Sequence, residues 1–179
     1  MTERRIEVLY SAETIAARNR AVAEAIRDAG YADRLLVVAI LKGGFVFAAD
    51  LIRALHHAGV SPEVDFMSLS SYRDGTTSTG KVQVLRDLET DVKGRDVLIV
   101  DDILESGRTL AYAKRLLAER GATRVGVAVL LDKPGHRAAE IDGDFVGFTC
   151  PDLFVVGYGM DMGHAYRELP YIGHVVDAH

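Results

Sequence analysis

Apolar and polar positions fall in blocks along the chain, and the blocks read as alternating strands and helices. Leu35-Leu-Val-Val-Ala-Ile-Leu41, Val97-Leu-Ile-Val100 and Val125-Gly-Val-Ala-Val-Leu-Leu131 are nearly unbroken apolar runs of strand length. Such runs fit strands buried on both faces. Three helical periods lie between or before them. The first spans 12–29, capped by Ser11 and ended by Gly30, with Ile15, Val22, Ile26 and Ala29 on one stripe. The second follows the turn Lys42-Gly43-Gly44 and runs to about His57, with Phe47, Ala48, Leu51, Ile52 and Leu55 on one side. The third spans 108–119, with Leu110, Ala113, Leu116 and Leu117 inward and Gly121 as its stop.

Residues 63–69 and 81–86 read as strands on either side of the polar stretch Ser70–Gly80, whose length and composition predict a lid loop over about 70–81. Short strands at 145–149 and 153–157 come next, and the tail to His179 reads as irregular. Strand–helix alternation with apolar strands predicts an α/β protein with a mostly parallel central sheet flanked by helices. Ligands of such sheets bind beyond the carboxyl ends of the strands. Neither an internal repeat nor a linker-like stretch interrupts the 179 residues, which predicts a single domain over 1–179.

Charge and composition narrow the function. The net charge of −5 opposes a general nucleic-acid binder, which carries a basic face, but leaves room for a locally basic site for small anions. One cysteine, Cys150, excludes an internal disulfide and a Cys₄ or Cys₂His₂ zinc site. Met1–Glu7 carries charges of both signs and no apolar stretch, unlike a signal peptide. No apolar run approaches the roughly 18 residues of a membrane span, so the expected compartment is the cytoplasm.

The chemistry concentrates in Asp101-Asp-Ile-Leu-Glu-Ser-Gly-Arg-Thr109, at the carboxyl end of one apolar strand and the start of the third helix. A helix N-terminus offers N–H groups and a positive dipole end to an anion. Ser106 and Thr109 add hydroxyls, Gly107 permits close backbone approach, and Arg108 adds charge. This is a phosphate cradle beside carboxylates, a pairing that suits a bridging Mg²⁺ or sugar hydroxyls. It is neither a Walker A loop nor a dinucleotide fingerprint, since Gly-x₄-Gly-Lys-Ser/Thr and a strand-following Gly-x-Gly-x-x-Gly are both absent.

The stretch Val97–Leu110 resembles the signature for phosphoribosyl pyrophosphate (PRPP) of type I phosphoribosyltransferases. Leu41-Lys-Gly-Gly44, Ser71-Tyr72, Lys133, Asp144-Phe-Val-Gly-Phe148, Pro151-Asp-Leu-Phe-Val-Val-Gly-Tyr158, Asp161 and Arg167 are similar to the hypoxanthine-guanine branch of that family. The resemblance covers roughly 35–175. It implies the type I phosphoribosyltransferase fold, with a small hood formed by the chain ends. It also implies purine salvage: PRPP and a 6-oxopurine, hypoxanthine or guanine, give IMP or GMP and pyrophosphate with Mg²⁺.

By this resemblance, Lys42 and Gly43 contact pyrophosphate through their backbone, across a peptide between them that the family often holds cis. Asp101 and Asp102 bind the ribose 2′- and 3′-hydroxyls, directly or through Mg²⁺, and Asp161 binds a second Mg²⁺. Glu105 is the general base toward purine N7. Ser106, Gly107, Arg108 and Thr109 hold the 5′-phosphate, joined by the amides of Ile103 and Leu104. Lys133 donates to purine O6; an ammonium has donors only, which selects an oxo over an amino purine. Phe154 stacks on the ring and the Val155 backbone reads its edge. Arg167 binds pyrophosphate, and Ser71 and Tyr72 sit in the lid. The sequence departs from the commoner family pattern at Glu105, where Asp is usual, at Asp101, where Glu is usual, and at Ser70, where some members have Lys. The implied assembly is a homodimer or homotetramer, with no nucleic-acid or membrane partner. The competing readings are a nucleic-acid-binding regulator on the same fold, an adenine or pyrimidine phosphoribosyltransferase, and a non-enzymatic scaffold.

Overall fold

The computed structural model describes residues 4–31, 34–74 and 77–177, with side chains left undescribed at 4, 71–74, 77–80 and 177. In chain order the elements are β1 (Arg4–Tyr10), α1 (Ala12–Asp28), β2 (Leu36–Leu41), α2 (Phe45–His57), β3 (Glu63–Asp74), β4 (Thr77–Arg86), β5 (Asp96–Leu104), α3 (Arg108–Glu119), β6 (Arg124–Asp132), β7 (Phe145–Thr149), β8 (Val155–Val156) and β9 (Ile172–Asp177). Six strands form the main sheet in the order β4-β3-β2-β5-β6-β7. All its pairs are parallel except β3 with β4. A second sheet, β1-β9-β8, joins the two chain ends as the expected hood.

The unbroken apolar runs have a physical reason. Leu36, Val38, Ile40, Val97, Ile99, Val127 and Val129 pack on the α3 side of the sheet. Val37, Ala39, Leu98, Val100, Ala128 and Leu130 pack on the side of α1 and α2. Both faces are covered, so neither can alternate with polar residues. Each fully buried Leu or Val contributes about 1.5–3 kcal/mol, and truncating the inaccessible Leu98 to Ala would cost about 2–5 kcal/mol.

The helices follow the expected stripes with small shifts. Ser11 caps α1, its hydroxyl accepting from Thr14 N at 3.2 Å. Ile15, Val22 and Ile26 are buried, but Ala29 lies past the helix end and is exposed. Asn19 takes an inward position, because its side chain donates to the Tyr158 hydroxyl at 2.9 Å, and that hydroxyl donates to Asp50. These bonds tie α1 and α2 to the segment around Tyr158. Ile52 and Leu116 are only half-buried, and Ala54 fills an inward place on α2.

Three expectations fail. The stretch read as a loop over 70–81 is mostly a hairpin: β3 runs to Asp74 and β4 starts at Thr77. Its ladder pairs Ser70 with Gln83 and Ser71 with Val82, held by main-chain bonds that need no apolar residue. The tail is not irregular, because β9 pairs with both β1 and β8. The strand expected at 153–157 shrinks to Val155–Val156, bounded by a turn from Leu153 N to Pro151 O and by Gly157 at φ +94°.

The chain leaves β2 for β3 on one side and returns to β5 on the other. β2 and β5 are therefore the switch point of the sheet, where the crevice for a ligand opens. They pair only from Leu36–Val97 to Ala39–Val100, and their ends then part. β5 continues alone beside β6 through Leu104, so Asp101 and Asp102 sit on a strand end rather than in a loop.

Candidate active site

Glu105, Ser106 and Gly107 turn the chain from β5 into α3. Gly107 has φ +77°, and a Cβ there would lie 2.5 Å from Ile141 Cγ2, so the turn requires glycine on two grounds. The turn is fixed from behind. Arg137 donates to Glu105 O at 2.9 Å and pairs with Asp132, while Ala138 N and Ala139 N donate to Ser106 O at 2.8 and 3.1 Å. Its front faces a cavity of about 290 Å³ lined by Lys42, Asp101, Asp102, Glu105, Ser106 and Thr109. Ile103, Leu104 and Gly107 also line it. The start of a twelve-residue helix points into this space, which suits a phosphate.

Of the paired acids, Asp101 is buried and Asp102 partly buried. Burial first, and then the charge of Asp102, hold the Asp101 carboxyl well above the usual carboxylate range. Burial also raises Asp102, against the pull of its hydrogen bonds and the field of Arg167. Asp101 Oδ1 accepts Asp102 N at 2.9 Å. Across the crevice Gly43 touches the Asp102 carboxylate so closely that a Cβ there would collide with it. At Gly44 a Cβ would stand 2.8 Å from Ile40 O and 3.2 Å from Asp101 Cα. The cis peptide of this turn is Leu41-Lys42, one bond earlier than expected.

A second cavity of about 440 Å³ adjoins the first along Leu41, Lys42, Gly43, Asp102 and Ile103. Phe154, Val155, Asp161 and Arg167 also line it. Phe154 is 57% exposed, an aromatic face open to a flat ligand, and its carbonyl accepts Val175 N at 3.0 Å. Val155 is buried and pairs with His174 in the hood. Arg167 donates to Gly159 O at 2.6 Å and pairs with Asp161 at 2.9 Å, while His164 N donates to the other Asp161 oxygen at 2.8 Å.

Lys133 is buried behind these walls. Its ammonium donates to Glu105 Oε1 and to Leu153 O, both at 3.1 Å, and stands 3.7 Å from Asp152 Oδ1. Its backbone N–H donates to Leu104 O at 2.8 Å.

The structure thus brings the expected residues together around two adjoining cavities, with Lys133 at the Glu105 end. Arg108 opens α3 beside them. The side chains of Ser71 and Tyr72 lie outside the described residues; their backbone belongs to the β3–β4 ladder. A larger hollow of about 930 Å³ between α3 and residues 137–144 is lined by none of the acids of the crevice. Sequence reasoning gave no role to Arg137, His136 or Asp152. Asp152 was within reach, since it lies two residues before Phe154; only the fold brings His136 and Arg137 to the same place.

A helix N-terminus beside desolvated acids, at the switch point of a parallel sheet, is an arrangement that suits a phosphorylated, hydroxyl-rich ligand. Comparison with known proteins identifies the family: the phosphoribosyl transferase domain matches residues 6–162, and the chain belongs to this family. It is 43% identical over 175 residues to the hypoxanthine phosphoribosyltransferase of Escherichia coli K12, covering 96% of both chains. It is 50% identical over 138 residues to the hypoxanthine-guanine phosphoribosyltransferase of Bacillus subtilis 168, covering 77% of this chain and 75% of that protein. The crystal structure of a Staphylococcus aureus hypoxanthine phosphoribosyltransferase superposes with a TM-score of 0.89 at 42% identity, over 95% of this chain and 91% of that one.

Proposed function

We propose that the protein is a purine-salvage enzyme that transfers the 5-phosphoribosyl group of PRPP to hypoxanthine, guanine or both, giving IMP or GMP and pyrophosphate. The observation that carries this reading is the placement of Lys133. A buried ammonium, 7% exposed, touches the carboxylate at the phosphate cavity and the carbonyl beside the exposed Phe154 ring. It offers only donors where the base lies, which fits a 6-oxo group and opposes a 6-amino group.

In this reading the α3 N-terminus, with Ser106, Gly107, Arg108 and Thr109, holds the 5′-phosphate. Asp101 and Asp102 hold the ribose hydroxyls, and the Lys42-Gly43 turn and Arg167 hold the pyrophosphate. Phe154 stacks on the purine and the Val155 backbone reads its edge. Purine N9 bonds to ribose C1′ with inversion as the C1′–O bond to pyrophosphate breaks. Glu105 accepts the N7 proton, and its side chain, 43% exposed, faces the cavity where that proton is released. The β3–β4 hairpin, carrying Ser71 and Tyr72, closes over the crevice and excludes water.

The donor set fits Mg²⁺. Asp101 and Asp102 are hard oxygen donors whose carboxyls are held above their usual range chiefly by burial, and a divalent cation would favour the ionised form of both. Asp161 offers a third carboxylate across the crevice. When bound, Mg²⁺ supplies positive charge against the leaving pyrophosphate. No helix among the described residues is long and apolar enough to cross a membrane. The chain acts as one domain in the cytoplasm, as a homodimer or homotetramer, without a nucleic-acid partner.

A base panel tests the reading. Purified protein, PRPP and Mg²⁺ are mixed with hypoxanthine, guanine, xanthine, adenine or uracil. Turnover of oxopurines that is lost with EDTA supports it; silence with all five in folded protein rejects it.

A further inference from the structure

The ammonium of Lys133 has a third anionic or carbonyl neighbour that the proposed reaction does not yet use. Glu105 Oε1 and Leu153 O accept from Nζ, and Asp152 Oδ1 stands 3.7 Å away. Asp152 is 67% exposed at the surface and by itself would swing freely. Instead His136 Nε2–H donates to its other oxygen at 2.9 Å. That bond first and the imidazole's charge next hold the Asp152 carboxyl below its usual range against the opposing effect of burial, and Lys133 adds a lesser pull in the same direction. The bond also ties the turn Pro134–His136, which follows Lys133, to the connection that carries Leu153 and Phe154. Glu105, His136 and Asp152 bring ligand atoms within 4.8 Å of one another, as a metal site would. The Lys133 ammonium already sits against both carboxylates, so the cation of this cluster is the lysine.

Turnover makes that arrangement matter. Once Glu105 accepts the purine proton it is neutral and no longer balances Lys133. A buried ammonium without a counter-charge is costly. Among the described residues, the groups that then face it include the Leu153 carbonyl, the Cys150 thiol and Asp152, and of these three Asp152 is the anion.

Resting on the function proposed above, we infer that Asp152 is a positioning residue for the 6-oxopurine: it is the counter-charge that keeps Lys133 charged and aimed at O6 while Glu105 carries the proton, and His136 fixes its carboxylate.

The test is steady-state kinetics of the full chain with hypoxanthine and PRPP, for Asp152→Asn, Asp152→Glu, His136→Gln, Lys133→Ala and the double variant Lys133→Ala/Asp152→Asn. Because the loss of a charge-assisted contact is typically worth about a factor of ten, Asp152→Asn should lower kcat/KM for hypoxanthine about tenfold with the PRPP KM within about twofold. Asp152→Glu should recover most of the loss, and His136→Gln should show a smaller loss in the same direction. In the Lys133→Ala background the Asp152→Asn effect should vanish. Unchanged kcat/KM in Asp152→Asn, an equal rise in PRPP KM, or additive losses in the double variant would overturn the inference while leaving the proposed function intact. Wild-type protein without oxopurine turnover would instead overturn the function, and the inference with it.

Discussion

The two halves of the crevice are built differently. The phosphate half rests mainly on one contiguous segment, Asp101–Thr109, laid out by a strand end, a left-handed glycine and a helix start, with the Lys42-Gly43 turn facing it. Main-chain bonds from Ala138 and Ala139 and one arginine brace it from behind. The base half gathers Lys133 and Asp152–Val155 from two separate connections, joined by the contacts of the Lys133 ammonium with Glu105, Leu153 and Asp152. A backbone-built site has its geometry set when the strand and helix form. A site joined by side chains depends on charge balance among few groups. Substitutions on the phosphate side should therefore alter PRPP binding or stability, and those on the base side should alter base choice and rate.

The largest effect is expected where the halves meet. Glu105→Gln should lower kcat by about 10²–10⁴-fold with little change in KM, measured in single-turnover and steady-state assays. Near-full kcat would remove Glu105 as the base and break the division. Next is Gly107→Val, which places a branched side chain at φ +77° against Ile141. It should cost about 2 kcal/mol of stability and raise the PRPP KM without altering base preference, as read by denaturant melts and kinetics. Lys133→Ala should narrow the discrimination between hypoxanthine and adenine; unchanged selectivity would sink the O6 role.

The smallest effect lies outside the site. Asp65 is buried and accepts Phe66 N, Glu89 N and Thr90 N at 2.7–2.9 Å. Burial raises its pKa, but these backbone bonds outweigh it, and the net shift is downward. A folded pKa below the unfolded one gives stability that is present above the unfolded pKa of about 3.9 and is lost as pH falls through the folded value. Asp65→Asn should cost about 1–2 kcal/mol at neutral pH, and the gap from wild type should close in strong acid. Kinetic constants near neutral pH should not move.

The same contrast explains what the sequence disclosed. The buried strands β2, β5 and β6 were legible because layers on both faces force unbroken apolar runs. The bounds of α3 were legible because Gly107 and Gly121 punctuate it. The strands at the base of hairpin β3–β4 were legible too, but its outer part beyond Leu69 was not, since a ladder held by main-chain bonds imposes no apolar pattern. β9 was missed for a related reason: its partners β1 and β8 are remote in sequence, and the short hood leaves little periodicity. In the site, the cradle could be derived from local chemistry alone. The base half was read only through family resemblance, and the bond from His136 to Asp152, which spans two connections, had no local signal.

The most direct measurement of the central claim is a competition. Wild-type protein, PRPP and Mg²⁺ are incubated with equimolar hypoxanthine and adenine, and the nucleotides are separated and quantified. The account predicts IMP as the product, formed in step with pyrophosphate, with AMP at background. AMP in comparable yield would contradict the reading of Lys133 on which the assignment rests.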